Sequence, residues 1–76
     1  MKLQITCFAE FTVMCLLPGS DDKLVKLAPG SYLVNRSEED GLYIFKNETF
    51  YFSIKKIEWE NGNFQKCRNL LAIEVT

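Results

Sequence analysis

The 76-residue sequence contains no histidine. This absence removes the commonest general base, the commonest protein metal ligand and the usual sensor of physiological pH. The four glycines stand apart from one another, so no glycine-rich loop of the kind that cradles a phosphate is present. No apolar run approaches the roughly 18 residues that a membrane span needs. We therefore expect no metal site, no cofactor and no membrane association.

Cysteine is also scarce. Cys7, Cys15 and Cys67 are an odd number, and no two of them form a CxxC unit. A disulfide framework in a secreted protein needs an even set, so reduced thiols in a cytoplasmic protein are the expected state. In an extended strand Cys67 would point away from its basic neighbours Lys66 and Arg68. We expect all three to be inert core thiols and not nucleophiles.

Two clusters of acidic residues lie in segments with turn composition, at residues 21–22 and 38–40. Carboxylates that act as a catalytic pair face each other across a cleft, which neighbouring residues of one loop rarely do. The alternate-position spacing of a calcium-binding loop is also missing. These clusters are interpreted as solvated turns, and we expect that the protein is not an enzyme.

What the sequence does contain is apolar and aromatic side chains. Hydrophobic residues make up 47% and aromatic residues 13% of the chain, which is ordinary for a folded domain. A chain of this length buries roughly 60% of the surface that it exposes when unfolded, so its core is thin. The net charge of −1 gives no strong field that would attract nucleic acid. We expect one small domain over residues 1–76.

The strongest pattern is an alternation near the amino terminus, where every second residue from Leu3 to Leu17 is apolar. A period of two predicts a strand with one buried face. At about 3.3 Å per residue the run would span roughly 50 Å, which is too long for so small a domain. It should therefore bend sharply or break into two consecutive strands.

Turn signals divide the rest of the chain into short segments. Residues 18–22, 37–41 and 47–49 are rich in turn-forming residues, and Pro29-Gly30 predicts a tight turn. Between them, three short segments at residues 23–28, 31–36 and 42–46 predict strands.

The segment from Phe50 to Glu60 predicts one long strand. Its alternation changes phase at Lys55-Lys56, which predicts a β-bulge there. Asn61-Gly62 follows and is a strong hairpin signal, because both turn positions favour positive φ. The last strand is then expected to begin at Asn63.

In that last strand Cys67, Leu71, Ile73 and Val75 should share one face. Only the segment from Gln65 to Ile73 could contain a helical turn.

These patterns predict an all-β fold of 5–7 short strands with at most one short helical turn. The architecture would be a small bent-strand barrel or a two-layer antiparallel sheet, and its layout resembles the SH3-like and OB-like small barrels. If the barrel does not close, the first or last strand keeps a free edge. Pairing of that edge with its copy in another chain would give a homodimer.

The leading functional hypothesis is a non-catalytic protein-binding module, an adaptor or a small inhibitor, because the chain has more aromatic residues than a thin core can hide. Small acidic chains of this kind are common among phage and mobile-element genes that act on host defence proteins. The candidate partner-binding residues are Tyr43, Tyr51, Lys55, Lys56, Trp59, Lys66 and Arg68.

The alternative hypothesis is a nucleic-acid-binding small β-barrel. Lys55 and Lys56 would lie across the predicted hairpin from Lys66 and Arg68, with Tyr51 or Trp59 as a stacking platform. Glutamates are interleaved with these lysines, and cross-strand pairs between them would neutralise much of the positive field. Protein binding is therefore preferred.

Overall fold

The computed structural model describes residues 1–16 and 23–75, so the predicted turn at residues 18–22 lies outside the described residues. Within these described residues, seven strands and two short helices follow one another. They are β1 (Lys2–Cys7), β2 (Phe11–Cys15), β3 (Leu24–Leu27), β4 (Gly30–Glu39), β5 (Leu42–Lys46), β6 (Phe50–Lys55), α1 (Lys56–Glu60), α2 (Asn63–Arg68) and β7 (Leu70–Glu74).

All seven strands belong to one antiparallel sheet in the order β3-β2-β6-β5-β4-β1-β7. The sheet curls into a half-barrel, and both helices lie together between β6 and β7 in the chain. The predicted all-β class and small barrel-like layout are confirmed. The helical content is larger than expected, since two short helices stand where at most one helical turn was predicted.

The long amino-terminal alternation breaks into two strands, as predicted. Residues 8–10 separate β1 from β2, and the two strands then lie in different parts of the sheet. β1 pairs with β4 and β7, whereas β2 pairs with β3 and β6. Each half of the alternating segment therefore contributes one row of buried apolar side chains to the same curled sheet, one from β1 and one from β2.

Aromatic rings fill the concave face of the sheet, which we call the core face. Phe45 is fully buried, and its ring centroid lies 4.8 Å from that of Phe52 and 4.6 Å from that of Trp59. Phe11 packs edge-on against Phe52 at 5.0 Å. Large rings supply much of the buried apolar area that a short chain needs to offset its conformational entropy.

The predicted β-bulge at Lys55-Lys56 is wrong. The alternation changes phase there because β6 ends at Lys55 and α1 begins at the next residue. The helical path turns Trp59 onto the core face, where an extended strand would have continued along the sheet. The rings of the half-barrel are covered in this way without an additional strand.

The predicted hairpin at Asn61-Gly62 is also wrong, since the two residues link α1 to α2. The backbone feature behind that prediction is nevertheless present, because Gly62 has a φ of 81°. The side-chain oxygen of Asn61 accepts a hydrogen bond of 2.8 Å from the backbone N–H of Asn63. Phe64 of α2 then stacks 6.3 Å from Phe52 on the core face.

Two tight turns carry the hairpins of the central strands. Asp40 and Gly41, both at positive φ, join β4 to β5, so β4 is longer than predicted and the turn shorter. Asn47 organises the next turn, where its side-chain oxygen accepts from the backbone N–H groups of Thr49 and Phe50. Its side-chain N–H donates to the carbonyl of Leu33 at 3.0 Å, which ties the turn to β4.

Candidate functional site

The convex face of the sheet lies opposite the core and is called the outer face. Strand register places one continuous row across it, because Lys2 pairs with Asn35, Asn35 with Lys46 and Lys46 with Tyr51. Met14 continues the row as the partner of Tyr51. The row is therefore polar across β1, β4 and β5 and ends in Tyr51 and Met14 on β6 and β2.

A groove of about 780 Å³ lies along β4 and the turn that precedes β6. Leu33 lines it and is 55% exposed. The complete lining consists of Lys2, Leu33, Val34, Asn35, Arg36, Ser37, Lys46, Asn47, Glu48 and Thr49. The groove thus presents one exposed leucine, with Lys2 and Lys46 on the two strands that flank β4, on either side of Asn35. Amide and hydroxyl groups, Arg36 and Glu48 complete its polar lining.

The outer face is rich in lysine. By strand register the described strands place the side chains of Lys2, Lys26, Lys46, Lys55 and Glu39 on it. Glu48, in the turn before β6, adds a second carboxylate to the groove lining. None of the four lysines forms an ion pair with another residue in the described part of the chain. A chain with a net charge of −1 therefore carries a locally positive face.

The structure distributes the seven predicted partner-binding residues over separate parts of the molecule. Tyr51 and Lys55 lie on the outer face, and Tyr51 is half-buried. Lys66 and Arg68 are exposed on α2, where the Arg68 guanidinium lies 5.9 Å from the Phe64 ring centre. Trp59 is 8% exposed and belongs to the core. The hairpin across which the basic patch was predicted is replaced by α1 and α2.

Tyr43 and Lys56, the remaining two, belong to a compact cluster between α1 and the end of the sheet. The Arg36 guanidinium lies 4.1 Å and the Lys56 ammonium 5.6 Å from the Tyr43 ring centre. Lys56 also forms an ion pair with Glu38, and the Tyr43 hydroxyl donates a 2.9 Å hydrogen bond to Glu60. Two cations meet two carboxylates, so the cluster is neutral and ties α1 to the sheet.

The hydrogen bond to Glu60 raises the pKa of Tyr43 above its ordinary value of 10.0, and desolvation raises it further. Burial raises the pKa of the Cys7 thiol above 9.0. The hydrogen bond to Glu38 raises the pKa of Lys56 above 10.5. In each case the folded protein favours the protonated form.

We expect the protein to lose stability at alkaline pH. A group whose pKa is raised on folding contributes fully below its unfolded value, and the contribution disappears as pH rises through the folded value. The urea midpoint should therefore fall progressively above pH 9.0 and again above 10.0. Tyr43→Phe should show a smaller alkaline loss than the parent protein. Identical pH profiles for the two proteins would contradict the role given to the Tyr43 hydroxyl.

Sequence reasoning missed the groove, because Leu33 is a lone apolar residue on one side of a predicted strand. It also left open which face of the last strand is buried. Leu71, Ile73 and Val75 share a face as predicted, but it is the outer face, and all three are exposed. Cys67 does not share it, since it lies in α2. Leu70 is the buried residue of β7.

No helix in the described residues is long and apolar enough to cross a membrane. Residues 1–16 and 23–75 contain no cluster of three or more cysteine or carboxylate side chains that could hold a metal ion. Comparison with protein-family models, with curated proteins and with solved structures gives no match. The fold and the groove thus define a small antiparallel half-barrel with one uncovered, lysine-rich face.

Proposed function

We propose that this protein is a non-catalytic protein-binding module, an adaptor or small inhibitor, that holds its partner in the outer-face groove. The observation that carries the proposal is the exposure of Leu33 in a groove of about 780 Å³ that Lys2 and Lys46 also line. Protein interfaces have an apolar centre and a polar rim, and Leu33 with the polar groups around it has this arrangement.

The charged residues around the groove indicate which chemical groups the partner surface should carry. Lys2 and Lys46 lie on either side of Asn35, two residues along β4 from Leu33, and neither has an ion-pair partner among the described residues. Glu48 is the carboxylate in the groove lining. Opposite charges across an interface steer the encounter and suppress wrong partners. The partner surface should therefore present an apolar side chain together with carboxylates positioned to reach Lys2 and Lys46.

The test compares two exposed apolar residues that differ in location. Leu33→Ser removes the apolar contact from the groove, and Ile57→Ser makes the same change on α1, where Ile57 is 69% exposed. Both side chains are largely in water, so each substitution should change the free energy of unfolding by less than about 1 kcal/mol. Matching denaturation curves for the two variants provide the control for folding.

Tagged parent and variant proteins are used to capture material from a lysate of the source cell, with and without nuclease. We expect the parent and Ile57→Ser to retain one stoichiometric protein that survives nuclease, and Leu33→Ser to lose at least about tenfold in affinity, as an apolar hot spot does. Equal retention by Leu33→Ser and Ile57→Ser would overturn the groove as the partner site.

One observation favours a second candidate function. The outer face places Tyr51 among its four lysines, an arrangement that single-stranded nucleic acid can use for stacking and phosphate contacts. If the protein binds nucleic acid, the material captured from the lysate should disappear when nuclease is added. Binding to an oligonucleotide should also weaken steeply with salt, as counterion release requires. Either result would replace the protein-binding proposal.

A further inference from the structure

The two edges of the sheet are not protected equally. β3, at one edge, is four residues long and carries Lys26, and such short, charged edges resist pairing with another chain. β7, at the other edge, has the sequence LLAIE, with neither lysine nor proline. Its Leu71 and Ile73 are 49% and 53% exposed on the outer face. An edge of this kind is a template for strand addition.

The hydrogen-bond phase shows which backbone groups of β7 are available. Phe8 N–H donates to the Asn69 carbonyl, and Val75 N–H donates to the Lys2 carbonyl, at 3.0 and 2.9 Å. The odd-numbered residues of β7 therefore direct their backbone groups toward β1. In the antiparallel pattern the even-numbered residues Leu70, Ala72 and Glu74 direct theirs away from it. These groups have no partner within the described residues.

We propose that β7 pairs with β7 of a second copy of this chain, antiparallel and with Ala72 opposite Ala72 on a two-fold axis. This register uses all three available residues, because Leu70 of each copy lies opposite Glu74 of the other. About six backbone hydrogen bonds would form, two for each hydrogen-bonded pair. The half-barrels would join into one continuous sheet.

The side chains of the outer face are complementary in this register. Leu71 of each copy lies opposite Ile73 of the other in a non-hydrogen-bonded pair, the closer of the two kinds of cross-strand pair. Four exposed apolar side chains thus cover one another across the axis. Ala72 itself is small and faces the core side, so it does not hold the two chains apart.

The charges at the two ends of β7 favour the same arrangement. Glu74 ends the strand, and the basic last turn of α2, with Lys66 and Arg68, precedes it. In antiparallel pairing Glu74 of each copy lies opposite Leu70 of the other copy. Arg68 of that other copy precedes Leu70 by two residues, so the opposite charges lie near each other. Parallel pairing would set Glu74 against Glu74. An antiparallel register centred on Ile73 would also bring the two carboxylates close together, so repulsion disfavours both alternatives.

This inference goes beyond the proposed function, because it concerns the β7 edge and a second copy, whereas the partner of that function binds the groove near Leu33. In the dimer both outer faces would lie on the same side of the joined sheet, so the two grooves would face the same way. A bivalent surface would follow without any change in either groove.

Sedimentation equilibrium from micromolar to millimolar concentration tests the dimer. We expect the parent mass to rise from 8.8 kDa to twice that value. Ala72→Pro should stay monomeric at least tenfold above the parent midpoint, because proline removes an edge N–H and leaves the bonds to β1 intact. Ala72→Ser keeps that N–H and should dimerise. A parent protein that is monomeric throughout, or a folded Ala72→Pro that dimerises as well as Ala72→Ser, would overturn the proposal.

A second pair of variants tests the register without proline. Leu71→Lys combined with Ile73→Lys sets like charges opposite each other across the axis. Leu71→Lys combined with Ile73→Glu sets opposite charges there, and it should dimerise at least about tenfold more tightly than the first. In a register centred on Ile73, the glutamates introduced at position 73 of the two copies would lie opposite each other. The second variant would then dimerise no more tightly than the first, and that result would contradict the Ala72 axis.

The failures of the two proposals are distinguishable. A monomer whose capture depends on Leu33 would overturn the dimer and leave the proposed function intact. A dimer that captures no protein would overturn the proposed function and leave the dimer proposal intact.

Discussion

Replacing Phe45 by alanine is expected to lower the free energy of unfolding by about 3–5 kcal/mol, the usual cost of removing a buried aromatic ring. Phe45 is fully buried, and its ring is in contact with those of Phe52 and Trp59. No other described residue joins the centre of the sheet to α1 through such close ring contacts. At about 0.05–0.15 kcal/mol per residue, a chain of 76 residues has roughly 4–11 kcal/mol of stability to lose.

Urea denaturation followed by circular dichroism measures this loss, and Phe8→Ala is the matched control. The same atoms are removed there from a ring that is 61% exposed, so the expected change is less than about 1 kcal/mol. Equal losses for the two variants would mean that the half-barrel does not enclose Phe45.

The second large effect is expected for Trp59→Ala, again about 3–5 kcal/mol. Trp59 is the residue through which α1 closes the core face, and its ring also lies 6.3 Å from that of Phe64 in α2. Loss of the indole would leave Phe45 and Phe64 facing a cavity and would weaken the attachment of both helices. The sequence alone allowed Trp59 to be a surface anchor for a partner, but its 8% exposure assigns it to the core.

Ile57→Ala provides the control, because it shortens an exposed side chain in the same helix and alanine favours helix formation. Its unfolding midpoint should stay close to that of the parent protein. If Trp59→Ala folds with an unchanged midpoint but loses its protein partner, Trp59 is an interface residue and the packing described for α1 is wrong.

The strands of the half-barrel were largely predictable from the sequence. The alternation from Leu3 onward requires a strand with one apolar face, and its excessive length requires the break that separates β1 from β2. The turn around Asn47 was predictable for a similar reason, because the asparagine side chain satisfies backbone groups of its own turn. Both features depend on interactions between residues that are close in the chain.

Residues 56–68 show where such reasoning stops. Asn61-Gly62 favours positive φ, and Gly62 adopts it, but a left-handed residue serves a link between helices as well as a hairpin. The choice between the two depends on the rings of Phe45 and Phe52, which an open half-barrel leaves uncovered. Trp59 and Phe64 cover these rings from the two helices. Nothing in the local sequence of residues 56–68 indicates that the rings of Phe45 and Phe52 must be covered.

The candidate site was predictable only in part. Tyr51 and Lys55 were identified and lie on the outer face, but the groove depends on Leu33, Lys2 and Lys46, which come from three strands. Their proximity follows from the register of β1, β4 and β5. A charge pattern along one segment could not reveal a surface assembled across strands.

The sequence by itself determined that this chain forms short strands with alternating side chains, that the first run breaks, and that catalytic chemistry based on histidine is excluded. These properties follow from composition and from contacts between near neighbours. The tertiary structure alone decided that Leu71 and Ile73 face outward, since that depends on whether Leu70 or Leu71 enters the core. It also decided that β7 is an edge and that the lysines gather on one face, because strand order and register are set by packing between residues distant in sequence.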